Sequence, residues 1–373
     1  MSVLSLHQPL WEKLQARRSQ LPHALLLHGQ QGLGKLELAR AFAASLLCDR
    51  PQPDGQACGD CPACHWLAQG NHPDFRLLQP AALAEDDGEG EGSAAASGSK
   101  KPSQQITIDQ VRGLDDFLHV GTHRQGLRVV IVCPAEAMNR NTANALLKTL
   151  EEPLAATHFL LVSHEPDRLL PTIRSRCQAV AVATPERQTG VRWLEGAVPG
   201  LSDEDAARWL ALAGGAPLLA ADLAAPGEEG RGGKVTKSRS LTLLADLNAQ
   251  LIQGSKMNPL SAAAALDKTL KADKEEGGRG GPGGLKLLVI WWQKWLVDLT
   301  LCSAGTPVRY FLGETTALRQ LSEQADTEEL FKFNRLLAKY KALSEHPLNT
   351  RLFLEELFSG YAAIFQGRPR RLS

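Results

Sequence analysis

Gly29-Gln30-Gln31-Gly32-Leu33-Gly34-Lys35-Leu36 has the spacing of a loop that wraps phosphate. In the full pattern, G-x-x-x-x-G-K-[ST], glycines let backbone N–H groups close on phosphate oxygens, lysine reaches the β and γ phosphates, and a hydroxyl ligates Mg²⁺. Gly29, Gly34 and Lys35 fit this pattern, and Gly32 adds a further open backbone position. Leu36 stands where the hydroxyl belongs, and a hydrocarbon cannot ligate a hard cation that demands oxygen. Three readings are open at this point: a working ATPase, a nucleotide binder that cannot hydrolyse, and a retired site kept for its fold.

Cys48, Cys58, Cys61 and Cys64 form a second group, spaced C-x9-C-x2-C-x2-C, with Pro51, Pro53 and Gly55 in the intervening loop. Four thiolates so close in sequence suit tetrahedral Zn²⁺. A redox C-x-x-C or a set of buried reduced thiols is the alternative. His65 and His72 lie nearby; with four cysteines available they read as structural, and Asn71-His72-Pro73-Asp74 reads as a turn.

These groups need elements to hold them. The apolar run Ala24 to His28 predicts a strand before the glycine loop, and Leu36, Ala39, Ala43, Leu46 and Leu47 recur at helical spacing after it. Strand, glycine turn and helix are the context a phosphate loop requires. Gln8 to Leu21 predicts a short leading helix, and Ile108, Val111, Leu114 and Leu118 another. Phe75 to Leu78, Leu127 to Val132, His158 to Ser163 and Ala179 to Val182 predict four more strands, giving a five-stranded parallel sheet. A P-loop ATPase carries a metal-holding acid after the apolar run that ends here at Val132. Cys133, Pro134 and Ala135 follow instead, and Glu136 is the one candidate replacement.

Asn144-Ala145-Leu146-Leu147-Lys148-Thr149-Leu150-Glu151-Glu152-Pro153, taken with Ser175-Arg176-Cys177, resembles the bacterial clamp-loader branch of AAA+ proteins. The resemblance is strong over residues 23 to 182 and rests elsewhere on size and helical character. It implies an α/β P-loop AAA+ domain with a five-stranded parallel sheet over residues 1–183, a small helical lid domain over 184–226 and a C-terminal all-helical collar domain over 240–373. The cysteine set is similar to the zinc module of that branch, at about 48–64. Arg176 is the residue that the resemblance would send across a subunit boundary to the γ-phosphate of a neighbour's ATP. A permanently charged planar fork suits that task, whereas spacing alone leaves a local Arg–acid pair equally open.

The resemblance also marks two sensor positions, filled here by Ser163 and, where an active member carries arginine, by Leu218. Leu218, with Leu36, Cys133 and Pro134, makes four altered elements and points to no hydrolysis. Gly29, Gly32, Gly34 and Lys35 remain as a degenerate nucleotide loop, able to hold ATP weakly and without Mg²⁺. The implied function is that of a non-hydrolysing clamp-loader subunit of the replicative DNA polymerase III holoenzyme. Its partners would be gamma/tau ATPase subunits and a delta subunit in a hetero-pentamer, with the sliding clamp and primed DNA reached through the complex. The rival readings are an active ATPase motor subunit or another P-loop NTPase, and a zinc-dependent DNA-binding module.

Composition limits the choice. The 373 residues suit two or three domains, and 41 basic against 41 acidic residues leave no net field to draw nucleic acid. Contact with DNA must then be local or shared with partners. The first residues lack a basic and apolar leader and no run approaches a membrane span, which predicts a cytoplasmic protein. Residues 80–104, acidic and poor in large apolar side chains, predict a disordered insertion, and 275–284 a glycine-rich surface loop. Pro226 to Lys234 reads as a boundary loop and Arg368 to Arg371 as a solvated tail. Leu288, Trp291, Trp292, Trp295, Leu296 and Leu299 form a heavy apolar face that fits a bundle core or a surface between subunits.

Overall fold

The computed structural model describes residues 2–83, 102–119, 126–225, 239–275, 284–343 and 349–366. The expected boundary loop and basic tail lie outside these residues, as does most of the 80–104 insertion and of the 275–284 loop. The chain forms two compact units, Met1–Glu186 and Arg187–Ser373.

In the first unit, α1 (Gln8–Ala16) precedes β1 (Ala24–His28), α2 (Lys35–Leu47), α3 (Pro62–Ala68), β2 (Phe75–Leu78) and α4 (Ile108–His119). Then come β3 (Arg128–Val132), α5 (Arg140–Glu151), β4 (Thr157–Ser163), α6 (Pro171–Arg176) and β5 (Gln178–Ala181). The five strands make one parallel sheet, as the sequence predicts, and their order is β2-β3-β4-β1-β5. Strands buried on both faces are built largely of apolar residues, which is why Ala24 to Leu27 in β1 and Val129 to Val132 in β3 read as continuous runs rather than alternations. The chain leaves β1 for the far edge and later returns to flank it with β4 and β5. That places the loop after β1 at a switch in strand order, at the carboxyl ends where such sheets bind ligands.

Helix α5 shows how local sequence sets an element. The Asn139 side chain caps it by accepting from the Thr142 amide at 2.9 Å. Ala143, Leu146 and Leu150 recur at helical spacing and pack with Val130, Val132, Phe159 and Ile173 in one core. Pro153 prevents extension, and the helix ends at Glu151.

The second unit is helical. It comprises α7 (Arg187–Ala197), α8 (Asp203–Leu212), α9 (Pro217–Ala224), α10 (Arg239–Leu251), α11 (Pro259–Glu275), α12 (Gly284–Ser303), α13 (Thr315–Ser322), α14 (Thr327–Leu343) and α15 (Thr350–Ala363). The helices expected over 240–373 fall within it, as does the lid expected over 184–226 apart from residues 184–186, which belong to the first unit. The heavy apolar face of α12 resolves in favour of a bundle core. Leu288, Trp292, Trp295, Leu296 and Leu299 are fully buried and Trp291 nearly so, leaving none of them to face another subunit. Trp292 packs on Phe333, Phe358 and Tyr361, and the Trp295 indole donates to the Tyr361 hydroxyl at 3.0 Å, which donates to Leu251 O at 2.9 Å. Trp295 and Tyr361 are buried with their polar ends paired, whereas the buried Trp292 indole nitrogen has no hydrogen-bond partner among the described residues. Among the described residues, no helix is long and apolar enough to cross a membrane.

Candidate phosphate loop, metal centre and surface arginine

The glycine loop has the conformation its spacing predicts. Gly32 and Gly34 take φ of 79° and 81°, left-handed values that cost little only to glycine, and Gly34 forms the N-terminal boundary of α2. Gly29, at φ 153°, approaches the chain beyond β5 so closely that a Cβ would lie 2.6 Å from Val182 O.

Lys35 is buried in its own loop. Its Nζ donates to Gly29 O at 2.8 Å and to Gln30 O at 2.5 Å, the position the sequence offers to a phosphate. Burial pushes its pKa down to about 8, partly offset by the fields of Cys133, Glu136 and Glu37. His7, which the sequence reading passed over, braces the loop from the other side, with Nε2 2.5 Å from Leu33 O. Burial also lowers the His7 pKa, so near neutral pH the ring is uncharged and Nε2–H is the donor.

Where an ATPase presents acids, this chain presents a buried thiol. Burial pushes Cys133 up to about 12, keeping it protonated at neutral pH. Glu136 is engaged in fold support: its Oε1 accepts from the backbone amides of His164 at 2.8 Å and Glu165 at 3.2 Å, fixing the turn after β4. Ser163, at the end of β4, is fully buried and its Oγ has no hydrogen-bond partner among the described residues. His164 is held neutral, its pKa lowered to about 4 by burial and then by the Lys35 charge. Leu218 lies half-buried in the first turn of α9, within the second unit.

The four cysteines converge. Their sulfurs all lie within 4.8 Å of one another, with Cys48–Cys58 at 3.5 Å and Cys48–Cys61 and Cys58–Cys64 at 3.9 Å. Tetrahedral Zn²⁺ bound about 2.3 Å from each sulfur requires sulfur spacings of about 3.8 Å. The residues present therefore fit a structural metal ion. Backbone amides orient the thiolates: Cys58 N donates to the Cys48 sulfur at 3.3 Å and Asp60 N to the Cys58 sulfur at 3.5 Å. The Asp60 amide is the leading cause that lowers Cys58 to about 6, while burial raises Cys64 to about 12. His65 is exposed, and His72 instead accepts from the Asp74 amide at 3.0 Å through Nδ1. The cluster is tied to α1 and α2: the Trp11 indole donates to Asp54 O at 2.9 Å, and Cys48 ends α2.

Arg176 is the last residue of α6. Its guanidinium forms an ion pair with Glu151, and NH1 donates to Thr172 O at 3.0 Å. The side chain remains 35% exposed. The neighbouring Cys177 turns into the core, where burial pushes its thiol up to about 11, and Ser175 Oγ donates to the same Thr172 carbonyl at 3.0 Å. One inward and one outward residue thus fix the turn that carries Arg176.

The chain is 46% identical to DNA polymerase III subunit delta' of Pseudomonas aeruginosa over 213 residues, which are 57% of this chain and 58% of that protein. It is 36% identical to the subunit delta' of Escherichia coli K12 over 214 residues, 56% of this chain and 57% of the relative. The match thus spans little more than half the length of these relatives. Among solved structures, a DNA polymerase III, gamma subunit-related protein from Thermotoga maritima aligns over 95% of this chain and 99% of its own, at 16% identity and a TM-score of 0.45. The model of the family described as DNA polymerase III, delta subunit, matches residues 7–186, the stretch that carries the glycine loop, the cysteines and Arg176. The similarity to the DNA polymerase III delta subunit family thus lies in residues 7–186, just under half of the chain.

Proposed function

We propose that the chain is a non-hydrolysing subunit of a bacterial clamp loader, and that it acts on ATP held by a neighbour. The observation that carries this reading is the set of residues around Lys35: the hydroxyl position of its loop is Leu36, and the strand that would carry the metal-holding acid ends in Cys133-Pro134. Positioning of charge is most of what phosphoryl-transfer catalysis requires, and each of these substitutions removes part of it. Arg176, by contrast, stands at the surface on a fixed turn, suited to stabilise a γ-phosphate supplied in trans.

The partners of this reading are gamma/tau ATPase subunits and a delta subunit, with the sliding clamp and primed DNA engaged through the assembly in the cytoplasm. Residues 1–183 serve as the AAA+ domain, 184–226 as the lid and 240–373 as the collar. Cys48, Cys58, Cys61 and Cys64 hold structural Zn²⁺, which closes the loop between α2 and α3. Any ATP at Gly29, Gly32, Gly34 and Lys35 is held weakly and without Mg²⁺.

The test is steady-state ATP turnover by the isolated chain with Mg²⁺. The expected result is none above background, both for the native chain and for Lys35→Ala. Turnover that disappears in Lys35→Ala would make the chain a motor subunit and overturn the proposal.

A further inference from the structure

We propose that Glu151 is a positioning residue for Arg176, holding the guanidinium in the orientation in which it meets the neighbour's γ-phosphate. The inference rests on the proposed trans role of Arg176 and assigns a task to a residue on another element.

Helix α5 stops at Glu151 because Pro153 bars another turn, and α6 stops at Arg176 as the chain enters β5. The two C-terminal ends meet, so the last side chain of one helix reaches the last side chain of the other. Arginine is favoured there on general grounds, since the C-terminal end of a helix carries partial negative charge. Its contacts go further than charge balance. NH1 is fixed on Thr172 O at 3.0 Å and NH2 is paired with Glu151, so two corners of a rigid planar group are anchored on different helices. A guanidinium has five N–H donors, so these two contacts leave further donors on a side chain that remains 35% exposed.

Glu151 and Arg176 are 48% and 35% exposed, and half-exposed pairs of this kind add little to folding stability. What the pair does supply is orientation. An unpaired surface arginine samples many rotamers and must be ordered when the phosphate arrives; a pre-set fork loses less freedom at that step. An interaction of that kind acts on the rate of the chemical step more than on nucleotide affinity.

The experiment uses the assembly reconstituted with its ATPase subunits, carrying the native chain, Glu151→Gln, Arg176→Ala or both, with ATP turnover measured across ATP concentration. Glu151→Gln is expected to lower kcat about tenfold with KM unchanged. The double variant is expected to match Arg176→Ala, because Glu151 acts only through Arg176. The melting temperature of the Glu151→Gln chain should match the native one. If Arg176→Ala lowers turnover while Glu151→Gln leaves it unchanged or raises it, the positioning role is wrong. An effect of Glu151→Gln that adds to that of Arg176→Ala would mark a structural role and overturn the inference as well. Unchanged turnover in Arg176→Ala would instead refute the trans role on which the inference depends.

Discussion

At the level of single residues, the glycine loop keeps the shape of its motif while Leu36, Cys133 and Pro134 depart from the motif's residue types. Gly29 is held at φ 153° with Val182 O where a Cβ would stand, a constraint set by the fold and independent of any nucleotide. Gly29→Ala should therefore destabilise the chain by roughly 1–3 kcal/mol, read from the midpoint of urea unfolding, even though no catalysis depends on it. A chain that unfolds at the native midpoint would show that the loop has room to relax. Leu36, Cys133 and Pro134 were legible in the sequence because a motif fixes their positions relative to Lys35. The partners of Lys35, and the bracing of Leu33 by His7, were not. A contact between residues 26 apart depends on how α1 packs against the loop, and no local pattern encodes it.

At the level of elements, the five strands and the helices that follow them could be read because buried parallel strands are continuous apolar runs and Pro153 marks a stop. The use of an apolar face was not legible in this way. The tryptophans of α12 look alike in sequence whether they fill a core or meet a partner, and only their burial decides.

The same scale governs two further outcomes. Elemental analysis of protein purified without chelator should find one zinc per chain, lost in Cys61→Ser. With free zinc at a thousand times its Kd, that loss removes about 4 kcal/mol of stabilisation, visible as a lower melting temperature. In the second unit the buried Asp298 carboxylate accepts from the amides of Arg309 at 2.7 Å, Tyr310 at 2.9 Å and Phe311 at 2.7 Å, pinning the segment after α12. Asp298→Ala leaves those amides without a partner and should cost about 3 kcal/mol by chemical denaturation.

At the level of the whole molecule, the proposed function divides labour between chains: this one would supply architecture and one arginine, and its neighbours would supply ATP. The sequence made Arg176 visible through its setting between Ser175 and Cys177. The Glu151 partner was hidden because α5 and α6 are joined through a strand and a turn. The most direct measurement is ATP turnover by the reconstituted assembly in which Arg176→Ala replaces the native chain, with subunit composition checked by size-exclusion chromatography. The account predicts an intact assembly whose turnover at the dependent site falls by about tenfold or more. Intact assembly with unchanged turnover would contradict it.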